Sequence, residues 1–284
     1  MDIFNILIII GLFYFSLALT SDDWRDYPAC KIGRLQSPIE IKEYESTYAN
    51  NFSFVYQSYK GCECKIIKNY AYTIDCSSNT GGYINFERGG VIKQYEFIRA
   101  EIYPILHGID GDKKEGNYEL HLIHKKNLDF KTNKNQYRSI QDPNMYLVIV
   151  LRYSNGEKCI YDNGLLEQLM KNEGDENNEV HKVNLNQYNI FQDKRAYFYE
   201  GSSVHSPCDE NVNYYIVKDS FYSKEFENLN TKTKITNKIT SIDFANLFGR
   251  PVYKNFMNYR EVLGDNYFSF KKIVISFLFI IILL

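Results

Sequence analysis

The chain has 284 residues, in which 33 Lys and Arg nearly balance 35 Asp and Glu. This length fits one large domain or at most two small ones, and the near-zero net charge argues against a nucleic-acid partner. Tyr and Phe favour strands, so the 25 Tyr and 19 Phe residues predict a mainly β protein.

The chain begins with an almost unbroken apolar run over residues 3–19. The run is short, and Ala18, Thr20 and Ser21 are small residues suited to a cleavage site, so the pattern predicts a secretory signal peptide over residues 1–20. Asp2 stands where such peptides usually carry a positive charge. A buried N-terminal helix and an uncleaved anchor are the alternatives.

Residues 22–262 contain neither a linker-like composition nor an internal repeat, which predicts a single domain with a few short helices. Runs rich in aromatic and β-branched residues predict strands over 83–86, 95–103, 118–124, 146–153 and 213–217. Residues 165–171 and 241–248 predict short helices, and Gly89-Gly90 predicts a turn. The acidic, Asn-rich residues 171–179 predict a surface loop.

Six cysteines follow the predicted signal peptide, namely Cys30, Cys62, Cys64, Cys76, Cys159 and Cys208. An even number of cysteines in a secreted chain predicts up to three disulfides. A metal site is the alternative, but only one residue separates Cys62 from Cys64 and no second close pair follows, unlike the usual zinc spacing. Disulfides are therefore favoured, and the sequence leaves their pairing open.

The chain ends in a twelve-residue run, 273–284, in which every residue but Ser276 is apolar and which Lys271 and Lys272 precede. Because a helix needs about 20 apolar residues to span a bilayer, residues 263–284 predict a GPI-anchor signal, with a short membrane anchor and snorkelling lysines as the alternative. Candidate attachment residues are Gly264, Asp265, Asn266 and Ser269. Asn51 heads the only N-glycosylation sequon and predicts a glycan, so we expect a membrane-anchored protein of the secretory pathway, displayed at the cell surface.

Several motifs, in order along the chain, resemble the α-carbonic anhydrase family. They are Gln36-Ser37-Pro38-Ile39, Tyr118-Glu119-Leu120-His121-Leu122-Ile123-His124, Gly201-Ser202-Ser203-Val204-His205-Ser206-Pro207-Cys208 and Arg250-Pro251-Val252. The resemblance implies a twisted, mostly antiparallel sheet of about ten strands with a zinc site in its middle. It also implies a disulfide between Cys30 and Cys208.

The four remaining cysteines are outside the set that the family usually carries. Cys62, Cys64 and Cys76 flank two adjacent strand-like segments, so one of the first two is expected to pair with Cys76. Cys159 would then pair with the one that is left.

The family holds zinc with three histidines, and the resemblance maps their positions onto Glu101, Tyr103 and His121. Two of the three zinc histidines are therefore missing. A carboxylate can bind zinc, but tyrosine rarely does, because its ordinary pKa near 10 makes the phenolate costly. His121 is interpreted as a core histidine hydrogen-bonded to Glu119, the carboxylate that would orient a ligand imidazole.

Other parts of the family's catalytic apparatus also differ. The resemblance places Val204 and Leu106 where the family has a threonine and a glutamate that orient a zinc-bound hydroxide. The proton-shuttle histidine maps near Tyr70 or Ala71, and His205 is the only imidazole near Val204.

We therefore predict a catalytically inactive carbonic anhydrase-related surface protein that binds a protein or a glycan, with no cofactor and no confident catalytic residue. The alternative is an active zinc enzyme that hydrates CO2 with unusual ligands, drawn from His121, Glu101 and His205. A weaker idea is a hydrolase that reuses Glu101 and His121. His107 and His124 match family positions with structural roles.

Overall fold

The structure, a computed structural model, describes residues 33–68, 72–76, 82–104, 106–111, 118–130, 144–154, 160–161, 164–170, 181–187, 194–204, 208–223 and 249–257. The predicted signal peptide, the C-terminal tail, the predicted loop over 171–179 and the predicted helix over 241–248 lie outside these residues. No helix within the described ranges is long and apolar enough to cross a membrane.

Short and long strands make up most of the described chain. They are β1 (Glu40–Ile41), β2 (Thr47–Tyr48), β3 (Phe52–Tyr59), β4 (Cys62–Lys68), β5 (Tyr72–Asp75), β6 (Gly82–Arg88), β7 (Val91–Pro104), β8 (Gly108–Ile109), β9 (Tyr118–Lys126), β10 (Tyr146–Tyr153), β11 (Ile160–Tyr161), β12 (His181–Val183), β13 (Ala196–Gly201), β14 (Val212–Tyr222) and β15 (Tyr253–Lys254). The helix α1 spans Leu165–Met170, and 3-10 turns span Glu43–Glu45 and Leu185–Gln187.

Ten strands follow one another across the main sheet, in the order β12-β4-β5-β7-β9-β10-β14-β13-β15-β2. Strand β6 also pairs with β7, β3 pairs with β6, and β11 pairs with β14. The pairs β10–β14, β11–β14 and β15–β2 are parallel, and the other pairs of this sheet are antiparallel. The predicted mainly β fold, with a mostly antiparallel sheet of about ten strands, is confirmed.

The structure contains the turn predicted at Gly89-Gly90 and the short helix predicted to begin at Leu165. Gly89 and Gly90 join β6 to β7 with φ angles of 57° and 80°, a left-handed conformation that glycine adopts without a steric cost. Helix α1 buries Leu165, Leu166 and Leu169 in the larger hydrophobic cluster. Both predictions are confirmed.

The central strand β9 is buried on both faces over its first seven residues. Because successive side chains of a strand point to opposite faces, Leu120 and Leu122 join the larger hydrophobic cluster. Glu119 and His121 point the other way, towards the smaller cluster that contains Tyr103 and other aromatic residues. The sheet therefore buries a polar pair on one face and an apolar pair on the other.

The cysteines agree with the sequence only in part. Cys64 and Cys76 form a disulfide, as one of the two expected pairings requires. Cys208 is also disulfide-bonded, to a partner outside the described residues, where Cys30 and Cys159 both lie. The expected bond between Cys159 and the remaining cysteine is wrong, because Cys62 is a free, buried thiol.

Candidate functional site

The neighbouring strands β7 and β9 bring the predicted ligand positions together. Their antiparallel register places Glu101 opposite His121 and Tyr103 opposite Glu119. Residues two apart on a strand share a face, so all four side chains belong to one side of the sheet. This is the place where the resemblance implies a metal site.

The carboxylate of Glu101 is held by two neighbours on its own strand. Arg99 donates from Nε to Oε1 at 2.7 Å, and the hydroxyl of Tyr103 donates to Oε2 at 2.6 Å. Glu101 and Tyr103 are each 1% exposed, whereas the side chain of Arg99 is 33% exposed. Arg99 was not among the predicted site residues, although its position two residues before Glu101 places it on the same face of a regular strand.

On β9, Glu119 bridges two histidines. Its Oε1 accepts the backbone N–H of His107 at 2.8 Å, and its Oε2 lies 2.9 Å from both His107 Nδ1 and His121 Nε2. His107 Nε2 lies 2.8 Å from the hydroxyl of Tyr199, which donates to Ser37 Oγ at 3.0 Å. His107 is hydrogen-bonded through its ring, as the resemblance implies, and its structural role stays a prediction.

The charges of this network follow from its burial and its partners. Burial alone raises the pKa of Glu119, but the interactions with His107 and His121 outweigh it and hold the pKa below the ordinary value. For His121, burial lowers the pKa and outweighs the attraction of Glu119. At neutral pH, Glu119 is therefore ionised and the neighbouring His121 is neutral.

Tyrosine rings surround His121. The ring of Tyr103 is centred 4.9 Å from its imidazole, and that of Tyr214 lies 6.4 Å away and stacks on Tyr199 at 4.9 Å. Burial raises the pKa of both Tyr199 and Tyr214 above the ordinary value, so both remain protonated phenols. The surroundings of His121 are aromatic and contain no phenolate from these two residues.

Zinc fits these positions poorly. A catalytic zinc ion needs three protein donors about 2.0–2.2 Å away, mostly imidazole nitrogens. Here the carboxylate of Glu101 is neutralised by a guanidinium, and Tyr103 uses its proton to bind that carboxylate. Only His121 offers an imidazole among the three positions, so this donor set does not match zinc.

A second group also brings possible ligand atoms together, since those of His107, Glu119 and His121 lie within 4.8 Å of one another. However, both imidazoles approach the same carboxylate oxygen at hydrogen-bonding distances of 2.9 Å. In the structure these contacts form a hydrogen-bond network.

The structure describes only some of the remaining predicted site residues. Leu106 and Val204 are buried in the same hydrophobic cluster, where the resemblance implies a hydrogen-bonded glutamate and threonine. His205, Tyr70 and Ala71 lie outside the described residues. His124 belongs to the other face of β9, where it contacts the hydroxyl of Tyr59 and the carbonyl oxygen of Leu122 at 2.9 and 3.0 Å, respectively.

The first and third motifs meet at the end of β13. The backbone N–H of Ser37 donates to Ser202 Oγ, and the backbone N–H of Ser202 donates to Ser37 Oγ. A Cβ atom at Gly201 would lie 2.2 Å from Ser37 Oγ, so this contact requires a glycine there. Arg250 donates to the carbonyl oxygens of Glu200 and Gln36 at 2.9 and 2.8 Å, which ties the last motif to the same point.

The predicted glycosylation site is accessible. Asn51 and Ser53 are exposed, while Phe52 between them is 2% exposed and packs against Phe198. The glycan itself remains a prediction.

The chain matches a family model described as eukaryotic-type carbonic anhydrase over residues 19–262. A curated relative is alpha carbonic anhydrase 8 of Arabidopsis thaliana, which is 24% identical over 231 residues. The match covers 80% of this chain but 52% of the relative, so the chain spans about half the length of that protein.

Solved structures show the same fold at low identity. Dioscorin complexed with ascorbate superposes with a TM-score of 0.61 at 19% identity and covers 82% of this chain and 90% of its own. A hyperthermostable carbonic anhydrase from a hydrothermal vent chimney has a TM-score of 0.58 at 21% identity, covering 81% of this chain and 91% of its own. The α-carbonic anhydrase of Thermovibrio ammonificans with sulfanilamide has a TM-score of 0.55 at 20% identity, covering 80% and 90%.

Proposed function

The chain belongs to the eukaryotic-type carbonic anhydrase family, and we propose that it uses the family's fold as a catalytically inactive binding module for a protein or a glycan at the cell surface. In active members, a zinc ion lowers the pKa of its bound water to about 7 and so supplies the hydroxide that attacks CO2. The proposal is that this chain supplies no such hydroxide.

One observation carries the proposal, which is the Arg99–Glu101–Tyr103 network. The positive guanidinium lies 2.7 Å from the carboxylate that would have to bind a cation. A dication at this point would be repelled by Arg99 or would have to displace it, and Glu101 would be the only anionic donor among the three ligand positions. The network instead satisfies Glu101 with protein donors.

The neighbouring apolar residues support the same conclusion. Orienting a hydroxide requires a hydrogen-bond acceptor or donor beside it, and Leu106 and Val204 provide neither from their side chains. Both are buried in one cluster, at 3% and 8% exposure. The pair is consistent with a site that now serves packing.

Surface display and binding are supported more indirectly. The predicted signal peptide, the predicted membrane tether and the accessible Asn51 are features of a displayed protein. The same fold holds ascorbate in dioscorin, so ligand binding without a stated reaction has a precedent among the structural neighbours.

Metal content and hydration activity test the inactive state. The full chain, purified in detergent with zinc present and then dialysed, is expected to retain no stoichiometric zinc and to give CO2 hydration no faster than the buffer. Stoichiometric zinc together with sulfonamide-sensitive hydration would overturn the proposal.

Cell-surface binding tests the proposed role. Labelled full chain is expected to bind the surfaces of the organism's own cells saturably, and unlabelled chain is expected to compete. Protease treatment of those cells should abolish binding if the partner is a protein, and glycosidase treatment should abolish it if the partner is a glycan. Absence of any competable binding contradicts the binding role.

An active zinc enzyme is the second candidate, and the His121–Glu119 pair favours it, because a carboxylate beside a ligand imidazole is what metal sites use. Under that alternative, His121→Ala should abolish both zinc content and hydration. Under the inactive proposal, it changes neither.

A further inference from the structure

Three cysteine sulfur atoms lie close together where β4 and β5 pair. They belong to the larger hydrophobic cluster, on the face of the sheet opposite the predicted zinc-ligand positions. Cys62 and Cys64 lie two residues apart on β4, and Cys76 directly follows β5. The Sγ atoms of all three lie within 4.8 Å of one another, and the thiol of Cys62 lies 3.4 Å from Cys64 Sγ. All three residues are 1% exposed or less.

The arrangement of these atoms is a triangle and does not suit internal disulfide exchange. A thiolate displaces a sulfur along the axis of the S–S bond, which is about 2.0 Å long. A sulfur at 3.4 Å from Cys64 on that axis would lie more than 4.8 Å from Cys76, outside the observed limit. Burial also raises the pKa of the Cys62 thiol to about 11, which leaves almost no thiolate to attack.

The same triangle suits a metal ion. Three thiolates that each lie about 2.3 Å from a zinc ion are separated from one another by about 3.8 Å. Cys62 Sγ already lies 3.4 Å from Cys64 Sγ, and all three sulfur atoms lie within 4.8 Å of one another. Once the Cys64–Cys76 bond is broken, side-chain rotations that move these two sulfur atoms apart from their bonded distance would form the site.

We propose that Cys62, Cys64 and Cys76 form a three-thiolate site for a soft or borderline cation, such as Zn²⁺ or Cu⁺, when the Cys64–Cys76 disulfide is reduced. A dithiol reductant supplies two electrons and two protons, becomes a disulfide itself and leaves two thiols on the protein. The cation then binds and displaces the three thiol protons to solvent. In the oxidised chain, Cys62 is the single thiol of the cluster and the site is closed.

Access to the cluster depends on β12. This strand has three residues, is the last strand at its side of the described sheet, and pairs Val183 with Cys62. The Cys62 thiol donates to the carbonyl oxygen of Val183 at 3.4 Å. Because short terminal strands open more easily than central ones, release of β12 is the expected route for both the reductant and the ion.

Cadmium is a suitable probe, because its thiolate complexes absorb in the ultraviolet. The full chain is reduced without oxygen by a metal-free phosphine, and Cd²⁺ is added alone while absorbance and far-UV circular dichroism are recorded. We expect one Cd²⁺ per chain with thiolate charge-transfer absorption, and no such absorption in the unreduced chain. Cys62→Ala should weaken Cd²⁺ binding by more than the roughly 10- to 100-fold that loss of an outer-sphere partner costs.

Cys208→Ala is the matched control, since it removes one cysteine outside the cluster and should leave Cd²⁺ binding unchanged. If reduction unfolds the chain, Cd²⁺ should restore the sheet signal in the wild type and in Cys208→Ala but not in Cys62→Ala. Equal Cd²⁺ affinity in Cys62→Ala and the wild type overturns the proposal. It is also overturned if the reduced wild type gives no charge-transfer band, whether folded or unfolded.

Discussion

Strands β7 and β9 lie side by side in the same sheet, yet the side chains at the positions that correspond to the family's zinc ligands make different contacts on the two strands. On β9, Glu119 and His121 keep the pattern of the family and join a buried network that continues through His107 to Tyr199. On β7, Glu101 is instead paired with a partly exposed arginine of its own strand. The difference indicates that Glu119 is tied to several strands through a buried network, whereas Glu101 is held by contacts within β7.

The largest expected effect comes from rebuilding β7. The double variant Glu101→His, Tyr103→His would place three imidazoles on one face of two paired strands, which is the donor set that zinc prefers. We expect it to retain one zinc ion per chain, while the wild type retains none, as measured by metal analysis after dialysis.

Arg99 should not prevent this gain, because it loses its partner Glu101 and is exposed enough to turn towards solvent. The same double variant in a His121→Ala background is the control and should retain no zinc. A natively folded double variant without zinc would show that β7 differs from the family in backbone placement as well as in side chains.

The next prediction compares how much stability is lost when the carboxylate of Glu119 or that of Glu101 is replaced by an amide. A hydrogen bond to a charged group contributes about 1.5–3 kcal/mol, and the ionised Glu119 is 0% exposed with one oxygen in contact with two imidazoles. We therefore expect Glu119→Gln, which removes the charge behind both contacts, to lower the free energy of unfolding by about 3–5 kcal/mol. Glu101→Gln should cost only about 1.5–2 kcal/mol, because Gln keeps one acceptor oxygen and the partly exposed Arg99 can recover hydration. Urea unfolding of both variants measures the difference, and equal losses would remove the contrast between the strands.

The β9 side of the site could be predicted from the sequence because its residues follow a fixed spacing. Glu119 and His121 lie two apart on a strand with regular alternation, so a single motif fixed their shared face. The motifs around Ser37 and Gly201 were also visible, and the structure shows that they pack against each other.

The β7 side could not be predicted in full, because a β-bulge interrupts the alternation between Phe97 and Arg99. Phe97 joins the larger hydrophobic cluster, whereas Arg99, also at an odd position, contacts Glu101 on the other face. A strict period of two would have put both on one face. The free Cys62 could not be predicted either, because an even number of cysteines does not require that every one of them forms a disulfide.

A smaller effect concerns how His124, on the opposite face of β9 from His121, makes the stability of the protein depend on pH. Burial lowers the pKa of His124 from 6.5 to about 4. The unfolded chain therefore binds this proton first as the pH falls, so stability is complete above about pH 6.5 and is lost as the pH falls towards 4. Between pH 7.5 and pH 5.0, we expect this residue to contribute a loss of about 2 kcal/mol.

His124→Gln should be less stable than the wild type at pH 7.5 but should lose about 2 kcal/mol less on acidification to pH 5.0. Urea unfolding at the two pH values checks this. An unchanged pH dependence in the variant would show that other groups are responsible.

The smallest effect tests whether the residues of β7 act as one unit. Tyr103→Phe removes the hydroxyl that donates to Glu101 Oε2 at 2.6 Å, and loss of a donor to a buried acceptor should cost about 1–1.5 kcal/mol. Tyr56→Phe, at a position that is 53% exposed, is the matched control and should cost almost nothing.

Arg99→Gln, alone and combined with Tyr103→Phe, completes a double-mutant cycle measured by urea unfolding. Because both side chains bind the same carboxylate, their effects should not add. Additive losses would mean that the two contacts are independent, and β7 would then hold Glu101 by separate contacts rather than by a network that replaces a metal ion.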